Sequence, residues 1–540
     1  MSLSLTTKPF ANIFNRLVNP TETTPFNLSQ LADFPFSDWS SMQEYYGVYI
    51  DWFAGGPLNE QIVDTKTGQA VDRFPIKLNP IPGTCEKHAA VLLGNTLESI
   101  REGGLPIQFI PTSEKSPEKA EVISQAIGRA FEHAGGGAMF VDAGITSQYM
   151  GGCVWRVRFE AENDEYPVQV EYVDPVEFFG IPKGSNHWEL YECWFVREVS
   201  LPDAQARGYT WNGMDDRFYY VEHWTPQAVT IYVNEVTLVS EENVFGVVPF
   251  IYIPHIRVRS FIGKSLITEA VKGIIREWNL RFGDVGDAVA DDSHSILASR
   301  GVRGNLQETK LSDGRAVVHL GSKSGIGPNE TDPDLFAVNT KSTSAPMVQF
   351  NQMLEGQYRK ETKHPAVADG EDEGSQRSAA TLTVRMWPLI SHVELERINW
   401  TTGLLKLARM ILLFYATKSL EGITDDMVKT PLTIKWSTAL PRDREALVNE
   451  LVMRKKNGMT SLRHILEMLG DIVDIDKELQ MIDEELDAEQ EREMKTLEAE
   501  AKAKGVPGDP NAKGNVKGKN NAEKGDRTDN DASQNLRKEV

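Results

Sequence analysis

The sequence predicts an α+β fold, and three features carry that prediction. Runs that alternate apolar and polar residues mark strands in the N-terminal half: CVWRVRFEAE, YPVQVEYVDP, LYECWFVREVS and RFYYVEHWT, with Gly, Pro and Asn between them. Apolar residues at helical spacing mark helices at 86–100 and 117–134. From Gly263 onward the texture changes to long helical stretches interrupted by one short strand-bearing insertion. The turn-rich strand spacing predicts antiparallel sheet with helices packed on one side, and 540 residues is a soft prior for roughly three to four folding units.

The first long helical stretch, GKSLITEAVKGIIREWNLRFGDVGDAVADDSHSIL, reads as about 30 residues and about 45 Å, weakened in its middle by Gly273, Gly283 and Gly286. Residues 299–342 are rich in Gly, Ser and Asn with short strands such as RAVVHLG, the pattern of a small β-containing insertion. Helical pattern resumes from Ala345 to Lys363 and stops at HPAVADGEDEGSQR, whose Pro, Gly and carboxylates predict a polar loop. Ser378–Lys418 then reads as one very long helix. Its stripe is Leu382, Met386, Leu389, Val393, Trp400, Leu404, Ile411 and Tyr415, and Pro388 predicts a kink. A strand in TPLTIKWSTALP and a helix from Arg442 to Asn457 precede an acidic helical region running to about Lys504. There Ile465, Met468, Ile472, Ile475, Leu479, Ile482 and Leu486 follow a heptad, while Gly470, Asp471 and Asp474 predict a split into two packed helices. Residues 505–540 carry almost no apolar side chains and are expected to be disordered.

Charge narrows the function classes. The formal net charge is −21, and Asp471–Glu500 alone holds thirteen acidic residues against three basic ones. Such a chain does not grip DNA through a broad basic footprint, and any contact with DNA is expected to be slippery. The most apolar segment, Leu404–Ala416, contains Lys406 and Arg409 and is expected to be a buried helix, not a membrane span. The N-terminal stretch has no secretion-signal pattern. Cys85, Cys153 and Cys193 lack paired spacing, which predicts buried free thiols made in a reducing cytoplasm and no zinc or redox site.

Several motifs invite chemistry and fall short of it. IGKS at 262–265 resembles the end of a phosphate-binding loop, but the position five residues before Gly263 is Val258, so the first tight turn is missing and helix-start chemistry explains the string better. Asp284, Asp287 and Asp291 share one helical face and, with Asp292, could be imagined as nuclease metal ligands; a solvated acidic face is the commoner outcome. Asp369, Glu371, Asp372 and Glu373 lie in a Gly-rich loop with no His or Asn nearby in sequence to complete a site, and solvation is again expected. The ten histidines are dispersed, with no H-x-x-x-H pair, and Trp52, Trp155, Trp194, Trp224 and Trp436 are expected in the core. No catalytic, metal or cofactor site can be assembled.

The order of long helix, small insertion, second helix, polar loop and very long helix resembles the core of tailed-bacteriophage portal proteins. YYGVYIDWFAGG (45–56), KHAAVLLGNTLES, YVDPVEFFGIPKGS (172–185), YECWFVREVS and VEHWTP (221–226) are similar to the portal wing. GSQRSAATLTVRMWPLISHVELERINW (374–400) resembles the tunnel loop and the helix after it, and LPRDREALVNELVMRKKNGMTSLRHILEMLGDIVDIDKELQMIDEE (440–485) the closing segment. The resemblance implies an N-terminal segment at 1–40, a wing at 41–262, stem helices at 263–293 and 343–362 and a clip at 294–342. It further implies a tunnel loop at 363–378, a spine helix completing the wing at 379–458, a helical crown at 459–504 and a polar tail at 505–540. It implies a ring, usually twelvefold, with heterologous subunit contacts, and no enzymatic activity. Double-stranded DNA passing without sequence specificity, the terminase large subunit, major capsid and scaffolding proteins and a head-tail adaptor are the implied partners. The implied location is the capsid vertex of the virion, without membrane contact. Asp284, Asp287 and Asp291 are the expected channel-lining face, and Asp369, Glu371, Asp372, Glu373, Gln376 and Arg377 the expected tunnel loop. A terminase-like packaging enzyme would need the site that is missing here, and a neck or minor capsid protein would not be expected to show this element order.

Overall fold

In the computed structural model the described residues are 28–503, apart from 32, 64–67, 75, 95–99, 101–103, 113–115, 134, 185, 201, 203–216, 235, 259, 294–295, 301–307, 311–315, 321–333, 339–344, 372–378, 438–443 and 470–474. The expected disordered tail at 505–540 and most of the N-terminal segment lie outside them. The chain forms two units, Met1–Arg442 and Asp443–Val540.

In the first unit, α1 (Phe36–Ala54) precedes the hairpin of β1 (Gln61–Val63) and β2 (Ala70–Asp72). α2 (Ile81–Leu93) starts five residues before the sequence signal, because Pro82 fits a first helical turn, and stops at Gly94, whose φ is 73°. β3 (Ile107–Pro111), α3 (Pro117–Glu132) and α4 (Ala138–Met150) follow. Then come β4 (Gly152–Phe159), β5 (Val168–Val173), β6 (Phe178–Lys183), β7 (Asn186–Ser200), β8 (Arg217–Trp224), β9 (Ala228–Val233), β10 (Val236–Glu242) and β11 (Phe250–Pro254). β11, β4 and β5 make a three-stranded antiparallel sheet, and β10 to β6 a five-stranded antiparallel meander.

These elements stack in layers, and alternation along β4 shows why. Cys153, Trp155 and Val157 face the helical layer, where Ile127, Phe131, Phe140, Trp400, Leu404 and Ile411 complete the main core. Val154 faces the other way, joining Phe250 and Tyr252 of β11 against Phe178, Phe195, Trp224 and Ile231 of the five-stranded sheet. Both faces of the small sheet are therefore buried, which is why CVWRV reads as a nearly continuous apolar run. Helices cover one face, as expected, and a second sheet covers the other. Leu28, Leu31 and Phe34 pack on the outer face of that second sheet with Trp194, Val196 and Val221. The three cysteines are free and buried.

α5 (Glu269–Ser293) is about 37 Å long at 1.5 Å per residue. It leads into a four-stranded sheet of β12 (Ile296–Arg300), β13 (Glu308–Lys310), β14 (Ala316–Leu320) and β15 (Asp334–Val338), ordered β13-β14-β12-β15. β12 and β14 are parallel and the other pairs antiparallel. α6 (Ala345–Thr362) returns, and a 3-10 turn at Ala366–Asp369 follows. α7 (Ala379–Thr417) is continuous through Pro388. Its stripe from Met386 to Tyr415 is buried, while Leu382 near its start is 46% exposed. Gly403 sets how closely α7 lies on the sheet, since a Cβ there would overlap the Ile253 side chain of β11. β16 (Leu432–Trp436) pairs antiparallel with β3.

The second unit contains α8 (Arg444–Lys456), α9 (Leu462–Leu469) and α10 (Ile475–Ala503). α9 and α10 are separate helices, as Gly470 and its neighbours predict. Among the described residues, no helix is long and apolar enough to cross a membrane.

Candidate functional site

The candidate site is built on α5, α6 and the segment after α6. Asn279, fully buried in α5, donates to the Leu78 and Ile275 carbonyls (2.9 and 2.8 Å) and accepts from the Leu78 amide (2.6 Å), tying the helix to the residues before α2. Thr84 of α2 and Tyr358 of α6 share a buried hydrogen bond of 2.8 Å. Both helices are thereby fixed to the same body. Of the acidic face on α5, Asp284 is half-exposed and accepts from Arg281 at 2.9 Å. Arg281 also reaches Glu277 at 2.8 Å. The helical backbone spans Asp287 and Asp291, which keeps them at i+3 and i+7 from Asp284 on one face; their side chains, and that of Asp292, lie outside the described residues.

The loop carboxylates divide. Asp369 and Glu371 are held by cations: Asp369 accepts from Lys87 and from His364 (3.0 Å) with Arg359 at 3.7 Å, and Glu371 takes both arms of Arg359 at 2.8 Å. Burial raises the Asp369 pKa, but Lys87 and His364 outweigh it and hold the carboxyl below its ordinary value; Arg359 does the same for Glu371. These two residues clamp the base of the loop to α2 and α6. Asp372, Glu373, Gln376 and Arg377 lie outside the described residues.

Beside this clamp sits a cluster the sequence did not reveal. His88 (α2), His255 (after β11), His364 (after α6) and His392 (α7) are brought together from four segments. His255 Nδ1 is 2.8 Å from the Lys264 carbonyl, so it carries the proton and leaves Nε2 bare. His392 Nε2, 3.2 Å from that bare nitrogen, must then donate. The His88 ring lies 5.5 Å from His392 and 6.0 Å from His364, centre to centre, with the Thr362 backbone beside it. Glu396, one turn after His392, is fully buried and accepts from Ser147, Gln148 and Trp400. Burial pushes its pKa up to about 7. Burial likewise lowers His255 to about 4 and His392 to about 3, the latter with help from His255 and Lys363, and His88 well below its ordinary value.

IGKS does not start a helix. Gly263 packs backbone to backbone on Gly151, Lys264 N–H donates to Ile256, Ser265 hydroxyl donates to the Tyr149 carbonyl, and α5 begins only at Glu269 with Thr268 accepting from Val271 N–H. The glycine is needed for close approach to another glycine, and the free helix N-terminus that a phosphate cradle requires is absent from this string. Among the described residues, no group of three or more His, Cys, Asp or Glu side chains is placed to hold a metal ion.

A family model described as phage portal protein, SPP1 Gp6-like, matches residues 136–492, about two-thirds of the chain. The chain belongs to this portal family. No curated protein matches it. The match runs from just before α4 into α10 and so contains both large sheets, the whole run from α5 through the inserted sheet to α7, and every candidate carboxylate of this portal chain. His255, His364, His392 and Glu396 fall inside it, and His88 and Lys87 fall outside.

Proposed function

We propose that this portal protein is one subunit of a cyclic ring, usually twelvefold, that conducts double-stranded DNA through a capsid vertex, inward during packaging and outward during ejection. The observation that carries the reading is the order of α5, inserted β sheet, α6, loop and α7 inside the family match. In this reading 263–293 and 343–362 are the stem helices, 294–342 the clip, 363–378 the tunnel loop and 459–504 the crown. Stem helices standing out from one body would find lateral support in neighbouring subunits.

Asp284, Asp287 and Asp291, repeated around the ring, would form stacked acidic rings that guide phosphates without holding them, because like charge raises the cost of any lasting backbone contact. Since Asp369 and Glu371 are tied to Lys87, His364 and Arg359, they anchor the loop, and facing DNA falls to Asp372, Glu373, Gln376 and Arg377. The chemistry of packaging belongs to a separate terminase large subunit docked on the ring, later replaced by a head-tail adaptor; capsid and scaffolding proteins are the remaining partners. The protein would be made in the host bacterial cytoplasm and end in the virion. Single-particle imaging of purified protein tests this reading. Rings with a central opening wide enough for a duplex support it, and a monomer or an open filament at assembly concentrations overturns it.

A further inference from the structure

The His255–His392 contact has room for one proton. With His255 Nδ1 committed to the Lys264 carbonyl and the His392 Nε2 proton aimed at His255 Nε2, a second proton on His255 would set two N–H groups against each other at 3.2 Å. The nearest carboxylate oxygen, Glu396 Oε2, is 3.8 Å from His255 Nε2, beyond hydrogen-bond reach, and is already engaged by Gln148. His88 is buried between His364 and His392, and the Thr362 backbone beside it favours a charge too weakly to offset that burial.

What this cluster holds in place is the segment after α6. His364, 3% exposed, is inserted between the His88 ring and Asp369, and it follows Lys363, whose φ of 58° reverses the chain at the end of α6. We propose that the four histidines form a proton-operated latch on residues 363–371: proton uptake by His88 and His392 expels His364 and releases the segment from α2 and α7.

Asp369 offers a counter-charge to His364, and the other charged and titratable groups facing His88, His255 and His392 do not offer one in acid. α2 contributes Lys87 beside Asp369, and Cys85 near both Glu86 and Glu396. The segment after β11 contributes Lys264, the end of α6 Arg359 and Lys363, β4 Cys153, and α7 Glu396 and Arg397. Lys264 and Lys363 both disfavour a cation on His392. Glu396 holds its proton up to about pH 7 and is neutral when the histidines would charge.

The signs give an expected slope. A histidine that stays neutral in the latched state but titrates near 6.5 when released shifts the balance toward release about tenfold per pH unit below that value. Two histidines that face the segment, His88 and His392, act together, while His255 stays bonded to Lys264 and Glu396 to Ser147, Gln148 and Trp400 when the segment leaves. The net expectation is about a hundredfold per pH unit between about 6.5 and 4.5.

Residues 363–371 lead into 372–378, so only the consequence for the channel rests on the ring reading; the latch is measured without it. The experiment is amide hydrogen exchange of the full chain, corrected for intrinsic rates, followed on peptides covering 359–371 between pH 7 and 5. Protection there should fall about a hundredfold per unit while β4 and β11 peptides keep theirs. His392→Gln, which keeps a donor and cannot titrate, should flatten the slope by about tenfold per unit. His88→Gln should flatten it by a similar factor and Glu396→Gln should leave it unchanged, so the proposal stays testable if one variant folds poorly. Protection of 359–371 that is independent of pH, or that falls equally in His392→Gln, or that is lost together with the β4 and β11 peptides, overturns the latch.

Discussion

The Arg156–Glu222 ion pair is buried in the core of the first unit. Arg156 of β4 reaches Glu222 of β8 at 2.6 and 2.8 Å with both residues buried, and Tyr220 and Trp224 also donate to the carboxylate. Burial opposes both charges, yet their attraction keeps the arginine pKa raised and the glutamate pKa lowered. Glu222→Leu strands a buried guanidinium and should cost about 3–5 kcal/mol in denaturant unfolding, whereas adding Arg156→Met should recover much of the loss. Equal losses in the single and double variants would show that the pair bridges nothing. Glu396 makes a second prediction, with its sign set by linkage. The folded chain keeps the Glu396 proton up to about pH 7 while the unfolded chain releases it near 4.5, so this group's contribution falls as pH rises through that interval. Glu396→Gln should gain on the parent by up to on the order of 1 kcal/mol per pH unit there. Thermal melts at pH 5 and pH 8 read the difference, and a constant offset would contradict it. Neither site was legible in the sequence. Arg156 and Glu222 are 66 residues apart, the four histidines come from four segments, and an isolated polar residue on an apolar face leaves no period to read.

Elements were far more legible, because each long helix and strand announces itself through the side of the chain it buries. The α7 stripe from Met386 to Tyr415 is buried as its spacing predicts, and the small sheet between two helices appears where short strands interrupt the helical pattern. Boundaries were misread where glycine or proline serves packing instead of punctuation. Gly263 permits contact with Gly151 and does not open a helix, and Pro82 lies inside α2. Gly403 is the same kind of residue in the middle of α7. Gly403→Leu should push α7 off β11 and destabilise the fold by about 1–3 kcal/mol, and a melting temperature equal to the parent's would show that the helix has slack against the sheet.

For the whole molecule, the family match makes the chain a portal protein, and the central proposal is that its acidic helix face lines a conduit for DNA. That face was legible as a helical spacing of Asp284, Asp287 and Asp291, but its direction in an assembly depends on helix rotation and neighbouring subunits, which no single-chain periodicity encodes. Replacing all three aspartates with lysine reverses the charge and leaves Asn279, which ties the helix to Leu78, in place. The decisive measurement is retention of duplex DNA by assembled rings of this variant across a salt gradient, beside parental rings. The account predicts intact variant rings that hold DNA at low salt and release it as salt rises, with little retention by the parent. Intact variant rings that retain no more DNA than the parent and package at its rate would contradict it.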